Sequence, residues 1–154
     1  MASLSDAPAL AALRYALRST TGVATEPETD FVTRCTNWMQ THLEDDFWQC
    51  WVAEARQKLI GAVWLQLVEK IPNPRNEPEH HAYITNFYIE ETMRGKGIGS
   101  ELLRAAIEWC KTRDVHAIIL WPTERSRSLY ERHGFAVRED LMELIVEGPV
   151  SDHH

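Results

Sequence analysis

The stretch ETMRGKGIGSELL, Glu91 to Leu103, sets Gly95, Gly97 and Gly99 beside Arg94 and Lys96, directly ahead of an apolar-periodic run. Glycine weakens ordered elements, so three of them here call for backbone conformations or close approaches that other residues forbid. A helix N-terminus presents unbonded N–H groups and partial positive charge. Glycines ahead of it let an anion approach the main chain, and two cations add full charge. Arg94, Gly95, Lys96, Gly97, Ile98, Gly99 and Ser100 therefore read as a cradle for a phosphate or pyrophosphate. Two common nucleotide motifs do not fit. A Walker A loop needs Gly-Lys followed by Ser or Thr, and Lys96 is followed by Gly97. A dinucleotide fingerprint needs a third glycine three residues after the second, and Leu102 stands there.

The cradle must be held by a strand before it and a helix after it. AYITNFYIE (82–90) alternates as a strand, and the apolar positions Leu102, Leu103, Ala106, Ile107 and Cys110 define a helix from about Ser100 to Arg113. Upstream, DAPALAALRYALRS reads as a helix with Asp6 as N-cap and Pro8 in the first turn. A second helix is expected over Glu28 to His42. FWQCWVAEA and LIGAVWLQLVEK read as a hairpin turned at ARQK. IPNPRNEPEHH (71–81), with three prolines and two asparagines, is a loop. AIILWP suits a strand in a sheet interior, TERSRSLYERHGF a helix stopped by Gly134, and FAVRE and LMELIV two closing strands. The order gives an α+β fold: a mixed, mostly antiparallel sheet with one parallel crossover between 82–90 and 117–122. No repeat or linker divides the chain, so residues 1–154 are expected to form one domain.

Composition narrows the class. An apolar fraction of 44% with 25% charged residues is ordinary for a globular protein. No apolar run approaches the ~20 residues that span a bilayer, and the N-terminus lacks a secretory pattern, so a cytoplasmic protein without membrane attachment is expected. Net charge of -7 argues against nucleic-acid binding. Cys35, Cys50 and Cys110 are odd in number and not at ligand spacing, and His80-His81 and His153-His154 have no companions, so no metal site is expected. The charge is uneven. Residues 26–46 hold six acids against Arg34 alone, and residues 93–132 hold eight bases against five acids. That pattern suits a cationic ligand in front and an anionic one behind, or two solvated faces.

Arg-x-x-Gly-x-Gly, Arg94 to Gly99, between a strand and a helix resembles the acetyl-CoA pyrophosphate loop of the GNAT superfamily of N-acetyltransferases. FYIEETMRGKGIGSELL is similar to that family's strand-loop-helix unit, SLYERHGF to its second signature, and SDAPALAALR to its first helix. The resemblance implies a six- to seven-stranded sheet flanked by about four helices. It also implies acetyl-CoA as cofactor and direct attack of a primary amine on the thioester in a ternary complex. The parallel strands would splay near Tyr88 and Ile89, where the pantetheine arm could add to the free edge. Tyr130 would donate a proton or a hydrogen bond to the leaving thiolate. Thr123, seven residues before Tyr130, stands where the family has a cofactor-contacting asparagine. The resemblance also implies a first strand before that helix; with only MASL ahead of Ser5 it is expected to be stunted, absent or supplied differently, and the exposed edge could pair in a homodimer.

The resemblance leaves the base for the amine unassigned. Tyr83, Thr85 and Asn86 are unconvincing, and Ile118 replaces the glutamate of some relatives. Either His81 is a base acting through water, or it is a surface histidine, or the base is a water chain with no single owner. Arg125 and Arg127 meet phosphates or form a solvated helix face. Trp48, Trp51 and Trp64 are expected in the core and Trp38 at an acceptor pocket. The acceptor expected is a small, cationic amine. The alternatives are acetylation of a protein N-terminus or lysine, and a catalytically silent acyl-CoA sensor.

Overall fold

The computed structural model describes residues 1–20, 22 and 26–147. The terminal His153-His154 pair lies outside the described residues. The chain separates into two compact units, Met1–Leu120 and Trp121 to the C-terminus.

In the first unit, α1 (Ala7–Thr20) and α2 (Glu28–Leu43) precede β1 (Trp48–Ala55), β2 (Lys58–Glu69) and β3 (His80–Ile89). Then α3 (Ile98–Lys111) leads to β4 (Val115–Ile119). The described sheet has the order β1-β2-β3-β4. Its first two pairings are antiparallel and β3–β4 is parallel, as the crossover requires. α1 starts one residue after Asp6, whose carboxylate accepts from the Ser3 N–H at 2.8 Å. Within the short MASL segment ahead of Ser5, Ala2 N–H donates to the Cys50 carbonyl at 2.9 Å, tying this segment to β1. The hairpin turn is two residues long, Arg56 and Gln57, both left-handed at φ 54° and 64°. That geometry matches the twist of the flanking strands.

Alternation assigns the two faces of the sheet. Cys50, Ala62 and Trp64 pack with Ala7, Leu10 and Ala11 of α1 and Met39 of α2. Trp51, one residue along, meets Trp109 of α3 edge-on at 5.8 Å, so α3 covers the opposite face. β2 is buried from Leu59 through Leu65, which explains its unbroken apolar run. Trp64 and Trp51 are core residues, whereas Trp48 is only partly buried and Trp38 is exposed. The 71–79 loop is tied down at its end. Lys70 N–H donates to the Glu79 carbonyl, and Glu77 lies within 3.5 Å of Lys70 Nζ and 3.7 Å of His116 Nδ1.

The second unit contains α4 (Arg127–Arg132). Gly134 takes φ 96° after it, the Gly134 N–H donates to Glu131 O, and the Phe135 N–H reaches Tyr130 O at 3.1 Å. This pair of bonds is the glycine-dependent helix stop expected there. The closing segments differ from expectation. Residues 135–139 and 141–146 form no ladder among the described residues, so the described sheet has four strands, not six or seven. Leu141, Met142, Leu144 and Val146 are exposed. Without those strands β4 ends the sheet order, and Ile119 is 46% exposed where an interior strand was expected. Alternating apolar residues supply strand propensity, but only a partner strand makes a ladder. Among the described residues, no helix is long and apolar enough to cross a membrane.

Candidate active site

The glycine segment is built as its residue types require. β3 ends at Ile89, a 3-10 turn spans Glu91–Met93, and α3 begins at Ile98. Gly95 and Gly97 take φ 78° and 81°, the left-handed region that L side chains avoid. A Cβ at either position would meet nothing within 4 Å, so the space over both is open. The first helical bond runs from Glu101 N–H to Gly97 O, which places the amides of Ile98, Gly99 and Ser100 ahead of it. The open glycine turn, the helix start and Lys96 together fit an anionic phosphate group.

Arg94 does more than add charge. Its Nε donates to the Ile89 carbonyl at 2.9 Å, and its guanidinium lies 5.5 Å from the Tyr88 ring centroid. Tyr88 is 8% exposed beneath it, so its side chain is closed off from solvent. Arg94 therefore ties the loop to the strand end on which it stands.

That strand end is unusual on both sides. The parallel ladder with β4 ends at Tyr83↔Ile119, and β3 continues through Ile84–Ile89 beyond it. Toward β2, Ala62 pairs with Tyr88 but Trp64 pairs with Thr85, so Val63 faces two residues, Asn86 and Phe87. This is a bulge. Asn86 takes φ 51° and is 9% exposed. Its Oδ1 accepts from Arg14 Nη1 of α1 at 3.2 Å. Across the bulge, Gly61 lies so close to β3 that a Cβ would sit 2.7 Å from Ile89 Cδ1 and 3.1 Å from the Tyr88 carbonyl oxygen.

In the second unit, Thr123 and Ser126 bond reciprocally. The Thr123 N–H donates to Ser126 Oγ at 2.9 Å and the Ser126 N–H to Thr123 Oγ1 at 3.2 Å. The Thr123 hydroxyl thus helps to open the turn into α4. Tyr130 is 7% exposed and stacks edge-on with Phe135 at 5.6 Å. Burial pushes its phenol up to about 12, partly offset by a hydrogen bond with Ser126. The phenol is therefore neutral throughout the physiological range. Arg125 is exposed and Arg127 is at the start of α4.

His81 is a different case. It pairs with Val68 and Ala117 at the start of β3, five residues from Asn86, or about 16 Å at the usual strand rise. Its Nδ1 is buried and unbonded, and its ring lies 5.7 Å from that of His116. Burial, then Lys70 and His116, hold its pKa below the ordinary value. His81 is thus at the other end of the strand from the bulge. Among the described residues, no group of three or more His, Cys, Asp or Glu is placed to hold a metal ion.

Sequence reasoning found the glycine turn because its requirement is local. It missed Arg14 and Gly61, and it noted Asn86 only as an unconvincing base. A glycine inside an apolar strand does signal a bulge or close approach, so Gly61 was recoverable. The Arg14–Asn86 bond joins residues 72 positions apart and leaves no local pattern.

Residues 11–135 match the model of the Acetyltransferase (GNAT) family. An uncharacterized N-acetyltransferase of Methanocaldococcus jannaschii is 30% identical over 110 residues, 66% of this chain. The chain spans less than half of that relative, 44% of its length. The crystal structure of a predicted acetyltransferase from Clostridium acetobutylicum, solved with acetyl-CoA, superposes with a TM-score of 0.79 at 27% identity, covering 94% of this chain and 92% of that one. A GCN5-related N-acetyltransferase from Ralstonia eutropha has the same fold, with a TM-score of 0.74 at 22% identity, covering 94% and 95% of the two chains. With the family model running from within α1 through the bulged strand, the glycine turn and the tyrosine-bearing helix, the chain belongs to the acetyltransferase (GNAT) family.

Proposed function

We propose that this chain is an N-acetyltransferase that moves the acetyl group of acetyl-CoA to the primary amine of a small, cationic acceptor. The observation that carries the reading is the left-handed Gly95/Gly97 turn opening α3, at the end of a strand that outruns its parallel neighbour. The family membership and the acetyl-CoA in the Clostridium acetobutylicum structure support it. That structural match covers 94% of the chain, in keeping with one domain.

Arg94, Gly95, Lys96, Gly97, Ile98, Gly99 and Ser100 would hold the pyrophosphate. The main chain of β3 beside Tyr88 and Ile89 would align the pantetheine arm, as an added strand is held. When bound, acetyl-CoA supplies the activated acetyl thioester. Main-chain N–H groups at the bulge are the donors available for a developing oxyanion. Tyr130 is assigned the hydrogen bond to the leaving sulfur: a phenol held neutral can donate to the developing thiolate, whereas complete proton transfer from a phenol at about 12 to a thiolate whose parent pKa is about 8.5 would run uphill. Thr123 takes the place of the family's asparagine, with its hydroxyl already engaged by Ser126. Solvent is the proton acceptor for the amine, because Thr85 and Asn86 carry no basic group and His81 is remote from the bulge.

The cationic acceptor rests on Glu28, Asp30, Glu44, Asp45 and Asp46, all exposed on or beside α2. Trp38 supports it too: it is 41% exposed, stacked on His42 at 3.9 Å and edge-on to Trp48 at 5.1 Å. Such ring faces suit a cation or an apolar stem.

The test is thiol release from acetyl-CoA across a panel of polyamines, amino acids, amine antibiotics and peptides. Turnover with a small amine, and none with peptides, is the expected result. Turnover with peptides alone would redirect the reading to protein acetylation. No turnover with intact acetyl-CoA binding would make the chain an acyl-CoA sensor.

A further inference from the structure

We infer that Arg14 is a positioning residue: from α1 it holds Asn86 in the left-handed conformation that makes the β3 bulge, and so sets the main chain that faces the thioester. The placement of the thioester rests on the function proposed above; the clamp itself does not.

The geometry is specific. Thr85 pairs with Trp64, and Trp64 packs among Leu10 and Ala11 of α1. Ile84 pairs with Leu65 on the opposite face, toward α3. Regular alternation would turn Asn86 toward α3 as well. Instead its side chain reaches α1, where Oδ1 accepts from Arg14 Nη1 at 3.2 Å. The reversal needs the extra residue opposite Val63 and the φ of 51° at Asn86. Asparagine enters that region more readily than other side-chain-bearing residues, but an isolated left-handed residue inside a strand still persists only when its surroundings fix it. At 9% exposure, water does not supply that restraint. A hydrogen bond from a guanidinium does, and a charged donor makes it stronger than a neutral pair.

The position of the clamp gives it a role. The bulge lies within Ile84–Ile89, the part of β3 beyond the β4 ladder. It takes Asn86 and Phe87 out of register with β2, three residues before Ile89, whose carbonyl Arg94 binds. Two arginines thus fix this stretch, Arg94 from the cofactor turn and Arg14 from α1. α1 in turn packs on α2 through Tyr15 and Phe31, 5.7 Å apart. A shift of α1 is therefore delivered to the bulge.

The experiment combines amide chemical shifts of the ligand-free protein with steady-state kinetics for Arg14→Gln, Arg14→Lys, Asn86→Gly and the double variant Arg14→Gln/Asn86→Gly. Arg14→Gln should move the Phe87 and Tyr88 amide resonances. It should also lower kcat about 10²-fold, the scale of a 1 Å misplacement, with the KM for acetyl-CoA within about twofold. Arg14→Lys keeps a charged donor and should restore part of the rate. Asn86→Gly keeps the left-handed backbone without the side chain, so adding Arg14→Gln to it should cost no further rate. Unmoved amides, or rate losses that multiply in the double variant, would overturn the clamp. Moved amides with unchanged kcat would leave the clamp standing and overturn the placement of the thioester at the bulge. Should Arg14→Gln fail to fold, Arg14→Lys and Asn86→Gly carry the same two readouts.

Discussion

Gly97 takes φ 81° immediately before α3, and a side chain there would point into open space. Substitution therefore costs the fold only backbone strain, roughly 1–2 kcal/mol for an L residue in the left-handed region. For a cofactor that rests on the main chain as proposed, the loss would be far greater, because the open space would be its approach path. Gly97→Val should lower Tm by only a few degrees while reducing acetyl-CoA affinity at least 10²-fold by calorimetry; retained affinity would remove the loop from the site. Tyr130 makes the second residue-scale prediction. With its phenol at about 12, the donor stays protonated from pH 6 to 9. Tyr130→Phe should then lower kcat by about 10²-fold across that range, leaving the shape of the pH profile unchanged. An alkaline limb near pH 8–9 that vanished in the variant would contradict the assignment. The stability effect has the opposite pH range. A folded pKa raised above the ordinary value of 10.0 contributes stability that is complete below pH 10 and lost as pH rises through about 12, so the variant should lack that alkaline loss.

At the scale of elements, the hairpin and the bulge show how different kinds of restraint reach the sequence. The β1–β2 turn was visible as a polar break between apolar runs, but its type was not. Arg56 and Gln57 both adopt left-handed φ, which Asn-Gly would occupy at less cost. Arg56→Asn with Gln57→Gly should raise stability by about 1 kcal/mol in urea titration; no gain would mean that the side chains replaced make compensating contacts. Gly61 is the reverse case, a glycine required by a neighbour and not by its own φ. In Gly61→Ala, the Ile89 side chain can turn away, but the Tyr88 carbonyl oxygen at 3.1 Å belongs to the main chain of the strand end. The substitution should cost about 1–3 kcal/mol and raise the KM for acetyl-CoA. A stable variant with unchanged KM would show that the strand end tolerates displacement. The glycine turn, the helix stop at Gly134 and the buried run of β2 were all legible, because each is dictated by residues adjacent in sequence. The Arg14–Asn86 bond and the arrest of the parallel ladder at Tyr83 depend on distant partners, which periodicity does not encode. FAVRE and LMELIV carry strand propensity, yet the ladder that would realise it is not among the described pairings.

At the scale of the whole molecule, the division after Leu120 and the family match make opposing suggestions. The two compact units meet between Leu120 and Trp121 in sequence, whereas the family model runs without interruption from 11 to 135. It takes in all four described strands and α4, and the tyrosine assigned to catalysis lies on the far side of the division from the glycine turn. A family fold held as one domain should melt once. Pulse-labelled hydrogen exchange should therefore show the peptides covering His80–Ile89 and Arg127–Arg132 losing protection at one common midpoint. Acetyl-CoA at about 100 times its Kd should move both by the same increment, equivalent to about 2.7 kcal/mol if only the native state binds. Separate midpoints, with the ligand moving only the earlier part of the chain, would make the two units independent folding bodies. The proposed cofactor turn would then be stabilised without the helix that carries Tyr130, and the hydrogen bond to the leaving sulfur would have to be reassigned to a group within Met1–Leu120.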